Sequence, residues 1–353
     1  FCPIRILNVN GHKYMFGGRC NKYANIRKKK VFNEAEVTDY IEKRNDILFK
    51  ECAPDPATLV KKKDFIVGIP RCFSIYTLWP FYSWFFHTLG IETFVSQEIS
   101  HEGTARVESS YCFPAEIAHG AVQDILNRNI DYVFLPHFRD MDSYEKTVHA
   151  NFCPITQALP YYIKKAFPEI PEDQYLTPVV SFMYGTKKAA EPFIEMAVSL
   201  GFSEAEAKNA FTVAHKKQME CFDRFTELGK QALEEARRAE RPVIAILGRP
   251  YNSFTADANM GIPRKYTSRG YSIIPFDILP FADQAIYPNM YWYYGQQDMK
   301  AGTLLKNEDN IFVTYISNFS CAPDSFMLHY LKWIMGTKPF LILELDSHTA
   351  DAG

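Results

Sequence analysis

Short apolar runs alternate with helix-length runs along two separate stretches of this chain. That alternation admits few folds other than parallel sheets covered by helices. In the first stretch Phe65-Ile-Val-Gly, Glu92-Thr-Phe-Val and Tyr132-Val-Phe-Leu have strand length and strand composition. Residues 74–89 and 114–129 fill the gaps, and Ile117, Ala118, Val122, Ile125 and Leu126 fall on one helical face. Pro80 is expected to kink the first of these helices or to end its opening part. A strand reaches a parallel neighbour only through a crossover of this length, which places helices on the sheet faces. The pattern restarts after Pro242 with the strand Val243-Ile-Ala-Ile-Leu and a helix over 259–269. It continues through the strands Tyr271-Ser-Ile-Ile and Ile311-Phe-Val-Thr-Tyr-Ile, a helix over 325–335 and the strand Phe340-Leu-Ile-Leu-Glu-Leu.

Between the two stretches Ser203-Glu-Ala-Glu206 reads as a capping box. It opens a Lys- and Glu-rich run without Pro to about Arg241, either one long connecting helix or two shorter ones. At the start of the chain Arg5-Ile-Leu-Asn-Val and Lys13-Tyr-Met-Phe flank Asn10-Gly11, the signature of a hairpin with a type I′ turn. The expected organisation is a hairpin and polar connector over 1–63, a first α/β unit over 64–200, a helical connector over 201–241 and a second α/β unit over 242–353.

Composition narrows the class. At 353 residues the chain exceeds one ordinary core, given roughly 100–200 residues per domain. Hydrophobic residues at 47% and charged residues at 23% exclude a disordered chain. A net charge of −2 offers no polybasic field for nucleic acid or an anionic membrane. The longest apolar run, 76–89, is broken by Pro80 and falls short of the ~20 residues a membrane span needs. The chain opens Phe-Cys-Pro-Ile-Arg, without an initiator Met or a charged-then-apolar leader, and so reads as a segment of a longer polypeptide. Eight cysteines and no CxxC, in a chain with ample core, point to reduced thiols and a cytoplasmic location rather than to disulfides or a zinc ribbon.

Three of those cysteines share a setting. Cys112-Phe-Pro and Cys321-Ala-Pro each precede a helix, and Cys153-Pro154 precedes the helix-capable run 155–167. Pro favours the first helical position, so each Cys is expected at a helix N-terminus, where free N–H groups and the helix dipole lower a thiol's pKa. In open α/β sheets ligands bind beyond the carboxyl ends of strands, and the three thiols are expected to converge there, in a crevice between the units. Each cysteine alone is better read as a small buried apolar side chain, and it is the recurrence of three such helix starts that shifts the balance. Three thiolates without histidine suit an iron–sulfur cluster better than zinc, leaving the fourth iron position open or bridged.

Several motifs occur in order: Val67-Gly-Ile-Pro-Arg, Ser110-Tyr-Cys-Phe-Pro-Ala-Glu-Ile-Ala-His-Gly, Tyr132-Val-Phe-Leu-Pro, Leu247-Gly-Arg-Pro-Tyr-Asn, Asn318-Phe-Ser-Cys-Ala-Pro-Asp-Ser-Phe and Leu343-Glu-Leu-Asp-Ser-His-Thr-Ala-Asp-Ala-Gly. Together, over nearly the whole chain, they resemble the module of unknown function in large CoA-substrate-specific enzyme activase proteins. Those proteins are related to 2-hydroxyacyl-CoA dehydratase and benzoyl-CoA reductase subunits and to double-cubane cluster proteins. The resemblance implies two flavodoxin-like (Rossmann-like) α/β units around a cluster, with Cys112, Cys153 and Cys321 at the matching ligand positions. It implies a 4Fe–4S cluster, or an 8Fe–9S double cubane if a second subunit or a downstream half contributes. The implied partners are ATP-hydrolysing activase domains, in the same polypeptide or separate, and a second dehydratase-like subunit or a homodimer. The implied activity is that of an iron–sulfur redox module in ATP-driven, low-potential electron transfer. The alternative is a non-redox scaffold, or a CoA- or nucleotide-binding domain, that docks the activase.

The remaining candidates are weaker. Arg249, in Gly248-Arg-Pro-Tyr-Asn252 after a strand, is a candidate clamp for a phosphate or CoA group, although Gly-Arg-Pro is also good turn chemistry. With no P-loop and no GxGxxG, ATP hydrolysis is expected to belong to other domains. His119 is a candidate proton donor or support to the cysteine site, against the default of a buried or capping histidine. Glu116 and Asp324 sit in first helical turns, where carboxylates are favoured by the dipole. Cys2 and Cys20 flank the hairpin, as an incidental pair or as half of a second metal site. Cys52, Cys72 and Cys221 lack a helix-start context and are expected to be structural, and Tyr291-Trp-Tyr-Tyr294 is expected in the core.

Overall fold

Strands β1 (Ile4–Val9) and β2 (His12–Gly17) pair antiparallel around Asn10 and Gly11. The φ angles there are 51° and 79°, the left-handed pair that a type I′ turn requires. This is a computed structural model, and it describes residues 4–17, 37–109, 111–142 and 149–347. Cys2 and Cys20 lie outside those residues.

The first alternating stretch forms a four-stranded parallel sheet from β3 (Ile66–Ile69), β4 (Glu92–Val95), β5 (Tyr132–Phe134) and β7 (Tyr175–Leu176), in the order β4-β3-β5-β7. Beside it β6 (His137–Asp140) and β8 (Val179–Ser181) make a two-stranded parallel ribbon. The second stretch forms another parallel sheet, β10-β9-β11-β12, from β9 (Val243–Leu247), β10 (Ile273–Pro275), β11 (Ile311–Asn318) and β12 (Phe340–Leu345). Val67, Ile69, Val133, Ala245, Ile246, Leu247 and Ile316 are all buried, as strands covered on both faces must be.

The segment expected to be a polar connector also carries structure. Helix α1 (Tyr40–Asp46) buries Tyr40, Ile41 and Arg44. Arg44 Nη2 donates to Asp277 Oδ2 at 2.7 Å and to Tyr76 O at 2.6 Å, tying the second unit to the first. Thr38 O accepts from Ile273 N at 3.1 Å, which adds an edge to the second sheet.

Helix α2 (Ile75–Leu89) leaves helical geometry at Leu78, two residues before Pro80, as the proline requires. A kink frees backbone groups that need partners in a buried helix. Gln218 supplies both, accepting from Phe81 N at 3.2 Å and donating to Thr77 O at 3.0 Å. Gln218 belongs to α7 (Glu204–Arg238), which follows α3 (Phe113–Leu126), α4 (Pro154–Gln157), α5 (Leu159–Ala166) and α6 (Thr186–Ser199). α7 is one unbroken helix of 35 residues, opened by the complete Ser203/Glu206 capping box. It is also core structure: Phe81 meets Phe193 of α6 and Phe211 of α7 edge-on, with centroids 5.0 and 5.4 Å apart.

Later helices are α8 (Pro250–Ser253), α9 (Ile262–Thr267), α10 (Tyr293–Lys306) and α11 (Ala322–Met335). The helix expected over 259–269 is therefore shorter than its sequence pattern, because Gly261 at φ 73° breaks it from Ala256–Asn259. Tyr293 and Tyr294 are buried as expected, but Tyr291 is exposed. Among the described residues no helix is long and apolar enough to cross a membrane.

Candidate functional site

Each of the three cysteines singled out by its following proline is the N-cap of a helix: Cys112 of α3, Cys153 of α4 and Cys321 of α11. All three have extended backbone, with Pro in the first helical turn. Cys112 O accepts from Ala115 N at 2.9 Å and Glu116 N at 3.1 Å, and Cys321 O accepts from Ser325 N at 3.0 Å. Crossover helices run antiparallel to the strands they connect. The starts of α3 and α11 therefore lie at the carboxyl ends of their sheets. Cys153 arrives differently. Asn151 N donates to Tyr291 O and Tyr293 N to Asn151 O, both at 2.8 Å, so the strand leading into α4 is stitched to the second unit two residues before the thiol.

A buried polar chain links two of these helix starts. Cys153 Sγ lies 3.7 Å from Tyr251 Oη. Arg249 Nη1 donates to Tyr251 Oη at 3.4 Å, and Nη2 donates to Asn318 Oδ1 at 2.5 Å and to Asp324 Oδ2 at 2.7 Å. Asp324 is the third residue of α11 and also accepts from Ser317 Oγ at 2.6 Å and Tyr315 Oη at 3.1 Å. The Arg249 and Asp324 side chains are 4% and 1% exposed, so this pair is desolvated and must be closely matched. The turn that turns Arg249 inward depends on Gly248, at φ 115°. A Cβ there would come within 2.4 Å of Ile316 O and Ser253 Oγ. Gly248 N in turn donates to Asp298 Oδ1 at 3.0 Å, and burial holds that carboxyl well above the usual range.

Burial dominates the proton affinity of the two buried thiols. Cys112 is pushed up to about 11 chiefly by burial, with Arg249 pulling it down and the charge of Cys153 adding to the rise. Cys321 is raised by burial as well, against Arg249, with Asp324 and Cys153 adding. The helix-start location was expected to lower these thiols. Burial outweighs it at Cys112 and Cys321, because both sit inside the protein at 8% and 9% exposure. Tyr162 of α5 lies in the same field. Its phenol is raised by burial and then by Cys72, Cys112, Tyr111 and Cys153, and its hydroxyl has no hydrogen-bond partner. His119 is buried, shares a hydrogen bond from Nδ1 with Ala115 O at 2.7 Å and stacks on Tyr162 at 5.4 Å. Its ring thus packs on Tyr162 and its Nδ1 hydrogen bond goes to backbone rather than to a sulfur.

Among the described residues no group of three or more His, Cys, Asp and Glu side chains stands close enough together to hold a metal ion. Ligands of one zinc ion crowd within about 4 Å of each other, as tetrahedral bonds near 2.3 Å dictate. The cysteines of a cubane each bind a different iron and so stand farther apart. Three cysteines, one buried arginine with an unpartnered Nε and one unpartnered phenol are what these helix starts offer, and thiolate sulfur is the donor that iron–sulfur clusters take. Of Arg249 as an anion clamp only that Nε is unused, since its other nitrogens are engaged. Tyr251 was present in the Gly-Arg-Pro-Tyr-Asn motif but gained its meaning only from the fold. Nothing in the sequence singles out Tyr162.

The pattern of the CoA enzyme activase uncharacterised domain matches residues 66–279. The chain belongs to that domain family. The matched part of this domain holds Cys112, His119, Cys153 and Arg249, while Cys321 lies beyond it. No curated protein matches the chain. Among solved structures, the C-terminal domain of glucosamine-fructose-6-phosphate aminotransferase from Francisella tularensis aligns over 91% of this chain and 92% of its own, at 10% identity and a TM-score of 0.23. That likeness is too slight to add to the fold described above.

Proposed function

We propose that this domain is an iron–sulfur redox module of an ATP-driven, low-potential electron-transfer system, with Cys112, Cys153 and Cys321 as the cluster's ligands. The observation that carries the proposal is that three proline-set cysteines cap helix starts in both α/β units, and that Cys153 is linked through Tyr251 and Arg249 to Asp324 in the first turn of the Cys321 helix. A cluster bound there supplies one-electron chemistry. The chain's own residues do the rest. The three cysteines would give up their protons on binding, and positive iron would offset the cost of holding thiolates there. Tyr251 is placed to donate to the Cys153 sulfur, Arg249 adds positive charge fixed by Asp324, and Tyr162 holds a spare donor. Cys112 and Cys321 are enclosed by the core, and Cys153 stands at its partly exposed edge. A 4Fe–4S cluster needs only these three ligands and one open or bridged position. An 8Fe–9S double cubane draws further cysteines from a second copy, a dehydratase-like subunit or another segment of the polypeptide. Activase domains are the proposed electron donor.

The second proposal is a scaffold, or a CoA- or nucleotide-binding domain, that docks the activase. It is favoured by the absence, among the described residues, of a side-chain group tight enough for a metal ion. Visible spectroscopy of freshly purified, strictly anoxic protein separates the two. Broad sulfur-to-iron absorption that bleaches on adding dithionite is expected, and a featureless spectrum before and after reductant sinks the redox proposal.

A further inference from the structure

Arg71 ends the motif Val67-Gly-Ile-Pro-Arg and stands two residues beyond the carboxyl end of β3, in the loop that leads into α2. The chain leaves β3 for β4 on one side and returns to β5 on the other, in the sheet order β4-β3-β5-β7. Where connections part in this way, the loops at the carboxyl ends of the strands open a crevice that takes ligands. This loop is fixed. Arg71 N donates to Ser96 Oγ at 2.8 Å, next to the end of β4. Phe73 is held at φ 42° by its burial and by an edge-on contact with Tyr251, ring centroids 5.0 Å apart. A left-handed backbone at a residue other than glycine is strained, and such strain gathers at functional loops.

The Arg71 guanidinium is held by aromatic rings and left without an acceptor. It lies over Phe49, in the π-helical turn Ile47–Glu51, at 4.1 Å from the ring centroid, and 5.5 Å from the centroid of Tyr76. Both rings are themselves fixed, since they meet edge-on at 5.7 Å and Tyr76 Oη donates to Thr255 Oγ1 at 3.1 Å. Attraction to ring faces eases the charge but supplies no oxygen for the N–H donors. Among the described residues the Arg71 side chain makes no hydrogen bond and no ion pair, and its Nε is buried. The fully buried arginines differ. Arg44 is matched by Asp277 and Arg249 by Asp324. A buried donor without an acceptor is costly, and the acceptor that best fits a planar guanidinium fork is a pair of oxygens on one atom.

We propose that Arg71 anchors an oxyanion site at the carboxyl end of the first sheet, gripping the carboxylate or phosphate of a small ligand through two parallel hydrogen bonds. Nε and one Nη nitrogen are the donors, and their spacing matches two oxygens on one carbon or phosphorus. Phe49 and Tyr76 hold the fork in place beforehand, so little side-chain freedom is lost when the anion binds. Lysine in this position would keep the charge but lose the fork. The site does not include Cys112, Cys153 or Cys321, and it stands whether or not those residues hold iron.

The test uses the full chain, purified anoxically in a chloride buffer. Thermal unfolding is followed against rising sodium phosphate and, separately, sodium acetate, with sodium chloride at matched ionic strength as the reference. At least one of the two oxyanions should raise the midpoint beyond chloride in a saturable way, and the stronger arm identifies the group. In Arg71→Met the apparent dissociation constant should rise at least about tenfold, as the loss of charge-assisted hydrogen bonds implies. Arg71→Lys should fall between the two. No rise beyond chloride in the unsubstituted chain overturns the proposal, and so does a saturable rise at the same concentrations in Arg71→Met. Should Arg71→Met fail to fold, Arg71→Lys binding as tightly as the unsubstituted chain overturns it instead.

Discussion

Gly229→Ala is expected to destabilise the protein by about 3 kcal/mol, although it places the best helix former in the middle of α7. Helix propensity alone favours alanine over glycine by about 1 kcal/mol. The position decides otherwise. A Cβ on Gly229 would lie 1.6 Å from Ile278 O and 2.4 Å from Ile278 C, far inside van der Waals contact. The clash is with backbone rather than with the end of a flexible side chain, and the turn Phe276–Ile278 is held by the fully buried Phe276 and Ile278. It also carries Asp277, the partner of Arg44. Relief therefore means moving α7 away from the second sheet or shifting the Arg44–Asp277 pair. Urea denaturation should show a markedly lower midpoint with an unchanged slope. A Gly229→Ala protein as stable as the parent would mean that α7 and residues 276–278 do not approach as described.

The second large effect concerns the buried pair beneath the cysteines. Arg249→Met keeps most of the stem but leaves Asp324, 1% exposed, with only the neutral donors Ser317 and Tyr315. Removing one member of such a pair costs roughly 3–5 kcal/mol, because a buried charge is left uncompensated. The substitution also frees Tyr251 Oη from its arginine donor, so Cys153 loses the link to α11. Adding Asp324→Asn to Arg249→Met should recover much of the loss, since the unpaired carboxylate is then gone. Thermal unfolding of both proteins checks this. A loss below about 1 kcal/mol for Arg249→Met alone would show that water reaches the pair and that the crevice is not sealed as drawn.

The helix starts were legible because proline acts locally. Pro114, Pro154 and Pro323 fix the first turn of their helices whatever the fold, so Cys112, Cys153 and Cys321 were already placed as caps by the sequence pattern. The Asn10-Gly11 turn and the Ser203/Glu206 capping box were legible for the same reason. What was not legible depends on distant residues. Helix α1 hides behind a polar composition because its buried Arg44 is neutralised by Asp277, far along the chain. The ribbon of β6 and β8 has strands of only four and three residues, too short for a period-two pattern to stand out. The direction of the thiol shifts at Cys112 and Cys321 was missed for a related reason. A helix terminus is a local feature that the sequence announces, whereas burial is a property of the assembled fold and dominates here. Tyr162 enters the site only through α5 packing beside α3, which no local motif encodes.

The central claim is that three capped helices together hold iron, and iron with acid-labile sulfide, assayed per chain after strictly anoxic purification, tests it most directly. The unsubstituted protein should carry both. Cys112→Ala, Cys153→Ala and Cys321→Ala should each lose most of them while the far-ultraviolet spectrum is retained, since each change removes only a sulfur and leaves in place the proline that starts its helix. Cys52→Ala and Cys221→Ala should keep both at the parental level. Iron and sulfide absent from the unsubstituted protein, or fully retained by Cys321→Ala, would contradict the three-cysteine site.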